Sequence, residues 1–248
     1  MTEAAAEPEL PPPPEQARTV FGDRFADALR YAELLADAGV RRGLIGPREV
    51  PRLWERHLLN CAVLSEVIDE DVSVCDVGSG AGLPGIPLAL TRPDLRITLL
   101  EPLLRRTNFL EEVVKLLGIT NVTVVRGRAE EMVGNMPPVD VVTARAVAPL
   151  DRLAGWGLPL LRPHGEMAVL KGDTAEDELK AARAALSRLG AVDARVVQVG
   201  EGLVDPLATV VRVLVGESPG GVRAATRRAK AARASRAPRG GSGGRRRR

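Results

Sequence analysis

This 248-residue chain predicts an α/β fold: a mostly parallel seven-stranded sheet with an antiparallel last strand and an N-terminal helical segment. Three observations carry that expectation. From Val72 onward, short apolar runs alternate with amphipathic stretches. That is the pattern of strand–helix–strand units whose helices cover both faces of a parallel sheet. The first run leads into a glycine-dense loop, VCDVGSGAGLPGIPLAL over 74–90, where such sheets bind nucleotide-like ligands. The last two runs have no helix between them, which suits an antiparallel closing hairpin.

The elements follow in order. The leader MTEAAAEPELPPPPEQA, 1–17, is acidic and proline-rich, with no basic start or apolar centre. It is therefore expected to be disordered rather than a secretory signal. Residues 18–38 predict an amphipathic helix, with Phe21, Phe25, Leu29 and Leu34 at helical intervals. GPREVPRLWERHLLNCAVLSEVI, 46–68, predicts a second helical stretch with Pro51 in its first turn. These make a helical segment over 18–71. The methyl-rich strands VSVCDV (72–77), RITLLE (96–101), NVTVVRG (121–127) and VDVVTAR (139–145) come next. Helices are expected from IPLALT, over 103–118 closed by Gly118, and over 150–161. GEMAVLKG (165–172) is a strand, and EDELKAARAALSRLG (176–190) presents Leu179, Ala182, Leu186 and Leu189 on one helical face. AVDARVVQVG and ATVVRVLVG supply the closing hairpin of a domain over 72–216.

Composition narrows the classes. Hydrophobic residues at 45% allow a sizeable core, and no apolar run approaches the roughly 20 residues that cross a bilayer. Cys61 and Cys75 are not spaced as metal ligands, nor are His57 and His164, so no metal is expected. Buried thiols in a reducing cytoplasm are the favoured reading. The net charge of +3 conceals a division: after Glu217 come ten arginines, one lysine and no acid. Removing those eleven charges from +3 leaves −8 for the rest. The tail over 217–248 is expected to be disordered, either a solvated extension or a salt-sensitive grip on phosphates.

Two cofactors compete for the loop. Gly80-Ala81-Gly82-Leu83-Pro84-Gly85 matches the dinucleotide spacing, but the strand runs straight into Gly78, two residues too early for that register. The other match is acid-x-Gly-x-Gly, through Asp76, Gly78, Ser79 and Gly80. A carboxylate at the strand end suits the ammonium of a methionine-like group and repels a pyrophosphate, so S-adenosylmethionine is favoured over NAD. Glu101 ends the second strand, where an acid accepts ribose hydroxyls. Ala129 and Glu130 follow the third strand, at the edge expected beside an adenine ring. Taken alone, Glu130 also suits a helix start. Arg145 ends the fourth strand; a lone arginine is usually a surface ion pair, but at this edge beside the first strand contact with cofactor or substrate is the favoured reading. Gly-Ser79-Gly lacks nucleophile-elbow spacing, which excludes a hydrolase of that kind.

With these residues assembled, the chain resembles the ribosomal small-subunit methyltransferase G family, also called glucose-inhibited division protein B. DVGSGAGLPGIPLAL carries the resemblance, with WERHLLNCAVL before it and LLEPLLRRTNFLEEV, VVRGRAEE, VVTARAVAPL and AVLKG after it. It covers about 18–215, leaving leader and tail outside; Ala81 stands where other small residues or proline occur. The resemblance implies a class I S-adenosylmethionine-dependent methyltransferase fold, Rossmann-like. It also implies methyl transfer to N7 of guanine 527 in the 530 loop of 16S rRNA. Cofactor positions carry over onto Gly78, Leu83, Ala129, Glu130 and Arg145. The expected partner is 16S rRNA or the small subunit, met by a monomer. Arg52, Arg56, His57 and Asn60 precede the loop and are candidates to face RNA, as are Arg105, Arg106 and Lys171. For each, an ordinary solvated face competes. Two other readings stand beside this one: a non-enzymatic RNA-binding or assembly protein on the same fold, and an NAD-dependent oxidoreductase.

Overall fold

The computed structural model describes residues 9–145 and 148–236. The strands are β1 (Ser73–Val77), β2 (Arg96–Glu101), β3 (Val122–Arg126), β4 (Val139–Arg145), β5 (Leu161–Lys171), β6 (Ala191–Val199) and β7 (Ala208–Val215). They form one sheet in the order β3-β2-β1-β4-β5-β7-β6. β7 runs antiparallel to both β5 and β6, and the other pairs are parallel. The chain winds one way from β1 to β3 and the other way from β4, so β1 and β4 flank the switch point where such sheets open a crevice.

Helices cover both faces. They are α1 (Glu15–Phe21), α2 (Phe25–Leu34), α3 (Asn60–Ala62), α4 (Gly85–Thr91), α5 (Leu104–Leu116), α6 (Ala129–Met132), α7 (Leu150–Gly157), α8 (Ala175–Arg188) and α9 (Gly221–Arg236). Side chains alternate across a strand, and β1 shows the result. Val74 belongs to the same buried cluster as Tyr31, Leu35, Trp54, Leu88 and Leu110 on one face. Cys75 and Val77 pack with Leu150, Leu153, Leu179 and Leu186 on the other. The N-terminal helices therefore share one core with β1 and β2. Both cysteines are buried and free.

Several expectations are corrected. The helix expected over 18–38 begins at Glu15, breaks in a 3-10 turn at Gly22–Arg24 and widens into a π-helical turn at Leu35–Gly39. Gly22, with φ +46°, leaves the helical region and forces the break. The stretch 46–68 winds as 3-10 (Pro47–Arg52), π (Leu53–Leu59), α3 and 3-10 (Val63–Val67) in succession. The expected disordered leader is ordered at its end: Pro11 accepts the Trp54 indole N–H at 3.2 Å and Ala17 is fully buried, while residues 1–8 lie outside the described residues. The tail also differs from expectation. Residues 221–236 are helical, because the alanines, arginines and lysine there are good helix formers with no proline or internal glycine. Residues 237–248 lie outside the described residues.

Candidate active site

The glycine turn is built from β1 outward. The Gly78 N–H donates to the Leu100 carbonyl at 2.8 Å, and the Gly82 N–H donates to the Ser79 carbonyl at 2.7 Å. Gly78, Gly80 and Gly82 hold φ of +73°, +59° and +100°, which side-chain-bearing residues rarely adopt. Gly82 and Gly85 serve the body of the protein. A Cβ at Gly82 would stand 2.9 Å from the Tyr31 hydroxyl, and one at Gly85 would stand 2.2 Å from Leu99 Cδ2. Beside Gly80 there is open space, with only the Gly78 carbonyl at 3.7 Å. Gly80 is thus the position where another group can approach the backbone. The Ser79 hydroxyl turns inward and donates to the Asp76 carbonyl at 2.9 Å. The Leu83 side chain is buried in the core.

Asp76 is fully buried under this turn. Its Oδ2 accepts the Gly85 N–H at 3.2 Å, whereas its Oδ1 has no partner among the described residues. Burial pushes its pKa up to about 7; the neighbouring Ser79 hydroxyl, whose own bond goes to the Asp76 main-chain carbonyl, the Gly85 N–H bond and the Arg145 charge pull downward, and Glu101 pushes upward. Thr143 is the register partner of Asp76 on β4, and its buried Oγ1 is likewise unpartnered. A buried polar atom without a partner is costly, so the Asp76 Oδ1 is an acceptor open to a polar donor.

Glu101, at the end of β2, is 1% exposed. Its two oxygens accept the N–H groups of Gly80 and Leu103, each at 3.0 Å, and the Arg106 guanidinium lies 3.6 Å away. Two carboxylate oxygens offer about four acceptor sites, so capacity remains. The Glu101 carbonyl accepts the Gly127 N–H at 3.2 Å, tying the end of β3 to the same edge. Ala129, buried, opens α6 just beyond. The Glu130 side chain is exposed, and its carbonyl accepts from Arg227 at 2.9 Å. Arg145 ends β4 half-buried, its guanidinium donating to the Arg56 carbonyl at 3.3 Å. The ends of four adjacent parallel strands thus gather Asp76, Gly78, Ser79, Gly80, Glu101, Ala129, Glu130 and Arg145 along one edge. Leu83 sits under it. Ala146 and Val147, which continue from Arg145, lie outside the described residues.

Beyond Arg145 opens a cleft of about 980 Å³. Arg52, Arg56, His57 and Asn60 line one wall, with Glu49; Lys171, Asp173, Pro206 and Leu207 line the other. Of the candidates for RNA contact, Arg105 and Arg106 stand apart from this cleft, near Glu101 on α5. Lys171 is not free: it donates to the Ala148 carbonyl and to Glu178, both at 2.7 Å. It ties β5 to α8 rather than offering a loose cation. His57 is buried and shares a 2.8 Å hydrogen bond with Glu49. Burial, then the Arg145 charge, lowers its pKa to about 4, so the ring is neutral at physiological pH. Burial likewise raises the Cys61 thiol to about 11 and Cys75 further, so neither is a ready nucleophile.

Two residues of the site escape sequence reasoning. Tyr31, in α2, donates to the Ala81 carbonyl at 2.8 Å and latches the glycine turn from 50 residues away. Glu49 is the second; its only sequence signal is a helical spacing to Arg52, Arg56 and His57.

The family model and the sequence relatives agree on one family. A family model described as rRNA small subunit methyltransferase G matches residues 24–206. The Ribosomal RNA small subunit methyltransferase G of Streptomyces avermitilis is 80% identical over 233 residues, spanning 94% of this chain and 97% of its own. The protein of the same name from Thermobifida fusca is 61% identical over 203 residues, 82% of this chain and 85% of its own. Among solved structures, the cofactor-bound protein Rv0187 from MTB shares the fold, with a TM-score of 0.50 at 20% identity, covering 85% of this chain and all of that one.

Proposed function

The chain belongs to the rRNA small subunit methyltransferase G family, and from that premise we propose its reaction: transfer of a methyl group from S-adenosylmethionine to N7 of guanine 527 in the 530 loop of 16S rRNA. It is an S-adenosylmethionine-dependent methyltransferase with a class I, Rossmann-like fold. The observation that carries the cofactor reading is the buried Asp76 carboxylate with one unpartnered oxygen, under a turn left open at Gly80.

These residues fit the cofactor chemically. Asp76 Oδ1 suits an ammonium donor, Glu101 retains acceptor capacity for ribose hydroxyls, Gly78 makes the tight turn, and Gly80 admits close approach to the backbone. Ala129 and Glu130 lie where an adenine edge would rest, and Arg145 suits a carboxylate or a phosphate. Bound S-adenosylmethionine supplies an electrophilic methyl group. N7 of guanine carries a lone pair and no proton, so this chain needs no general base. The neutral His57 and the high-pKa thiols accord with that demand. The task of the residues is to align two bound groups and exclude water. Arg145 is a binding group, because a cation beside a ring that becomes cationic opposes the reaction.

The RNA enters from the cleft side, past Arg52, Arg56 and Asn60. The protein acts in the cytoplasm as a monomer on the small subunit or its RNA. Among the described residues, no helix is long and apolar enough to cross a membrane. The test is transfer of a labelled methyl group to small subunits lacking the modification, with the acceptor base mapped. Label on N7 of the 530-loop guanine is the expected result. Label on another base overturns the target, and no S-adenosylmethionine binding overturns the enzymatic reading.

A further inference from the structure

One carboxylate organises the basic wall of the cleft. Glu49 sits in the 3-10 turn Pro47–Arg52, and Arg52, Arg56 and His57 follow it at three, seven and eight residues. That spacing puts all four on one helical face. Glu49 Oε2 lies 2.8 Å from His57 Nε2 and 3.7 Å from the Arg56 guanidinium, and its Oε1 lies 4.0 Å from Arg52. These three contacts differ in kind. The His57 ring is buried, and its short bond fixes the carboxylate. The arginines are 57% and 54% exposed and stand at the outer limit of ion pairing, where a pair contributes little. Glu55, the other carboxylate on this wall, makes no ion pair among the described residues.

From this geometry we propose that Glu49 is a positioning residue for RNA: anchored on His57, it holds Arg52 and Arg56 poised in the free protein and yields them to a backbone phosphate of the substrate. The inference rests on the reading of the cleft as the RNA entrance. Arginine binds phosphate bidentately and more strongly than it binds a distant exposed carboxylate, so the exchange runs downhill. Without Glu49, Arg52 and Arg56 would lose the carboxylate that they face among the described residues and grip RNA less selectively. With it, only a phosphate presented in the right place displaces the carboxylate. The wall also reaches the reaction centre, since the Arg56 carbonyl accepts from Arg145. An RNA that settles on Arg56 in the correct register therefore steadies the residue at the end of β4.

The experiment compares wild type with Glu49→Gln for binding to unmodified small subunits and to an unrelated RNA hairpin, across salt concentrations, with methyl-transfer kinetics alongside. The substitution should tighten binding to the unrelated hairpin by about two- to fivefold at low salt, the equivalent of one exposed ion pair. The slope of log affinity against log salt should steepen by about 0.7 per arginine released. On the true substrate kcat should fall more than KM changes, while S-adenosylmethionine affinity stays at the wild-type value. Unchanged affinity for the unrelated hairpin with unchanged kcat overturns the proposal. So does a uniform loss of affinity for both RNAs, which marks a structural role only. A second variant, Arg52→Ala with Arg56→Ala, guards against misfolding of the first. It should weaken both RNAs and abolish the effect of Glu49→Gln when the substitutions are combined; an undiminished Glu49→Gln effect, or unaltered RNA affinity of the arginine variant, also overturns the proposal. Failure of wild type to methylate small subunits at all would instead sink the proposed reaction, leaving the hairpin comparison to judge Glu49 separately.

Discussion

Asp76 has a side chain that folding alone would not favour. Burial raises its pKa to about 7, from an ordinary carboxyl value near 3.9. The sign follows. As pH climbs from about 4 to about 7, the unfolded chain ionises this group while the folded chain resists, so the free protein loses stability across that window. A cation placed against Oδ1 prefers the ionised form, so its binding expels a proton below pH 7. S-adenosylmethionine affinity is therefore expected to weaken about tenfold per unit below pH 7 and to fall again above about pH 8, where the ligand's own α-amino group loses its proton. Asp76→Asn should lower affinity and flatten that dependence, as titration calorimetry between about pH 5.5 and about 8 would check; a persisting slope would assign the proton elsewhere. Asp76, Gly80 and Glu101 were legible in the sequence because strand end, tight turn and next strand end follow one another closely. Lys171 was not: its partner Glu178 is revealed only when α8 packs beside β5.

Elements show a different balance. The seven strands and their directions were readable from alternation, because an apolar run of that length between turn residues has few other fates. The N-terminal segment was readable as helical but not in detail. Its 3-10 and π turns arise because side chains such as Trp54 and Leu58 must reach the same core as Tyr31, and packing overrides uniform winding. The latch from Tyr31 to Ala81 joins this segment to the glycine turn. Tyr31→Phe keeps the ring and deletes one buried hydrogen bond. It should cost about 1 kcal/mol of stability, leave the Ala81 carbonyl short of a donor, and weaken S-adenosylmethionine binding. Melting and calorimetry on the same variant would measure both. Unaltered cofactor affinity beside a lowered melting point would confine the latch to stability.

The whole molecule is divided in charge, and α9 joins the parts. Arg228 is planted on the carbonyls of Pro159 at 2.7 Å, Leu161 at 3.0 Å and Pro219 at 3.3 Å, and Ala224 is buried against the body. These bonds hold α9 at the flank near Glu130. Alanine-rich composition was visible in the sequence, but a docking site made of backbone carbonyls leaves no mark in it. Removing residues 222–248 should weaken RNA binding chiefly at low salt and flatten the salt slope by about 0.7 for each phosphate the tail no longer neutralises. Equal slopes for the two chains would mean that the tail is a solvated extension. The turn fastened by Tyr31 has a consequence for heredity. Missense changes in the codons of α2 would weaken the same pocket as changes in the codons for Asp76 or Glu101. A screen for reduced methylation should thus recover alleles from distant parts of the gene, and only their placement in space would show that they belong together.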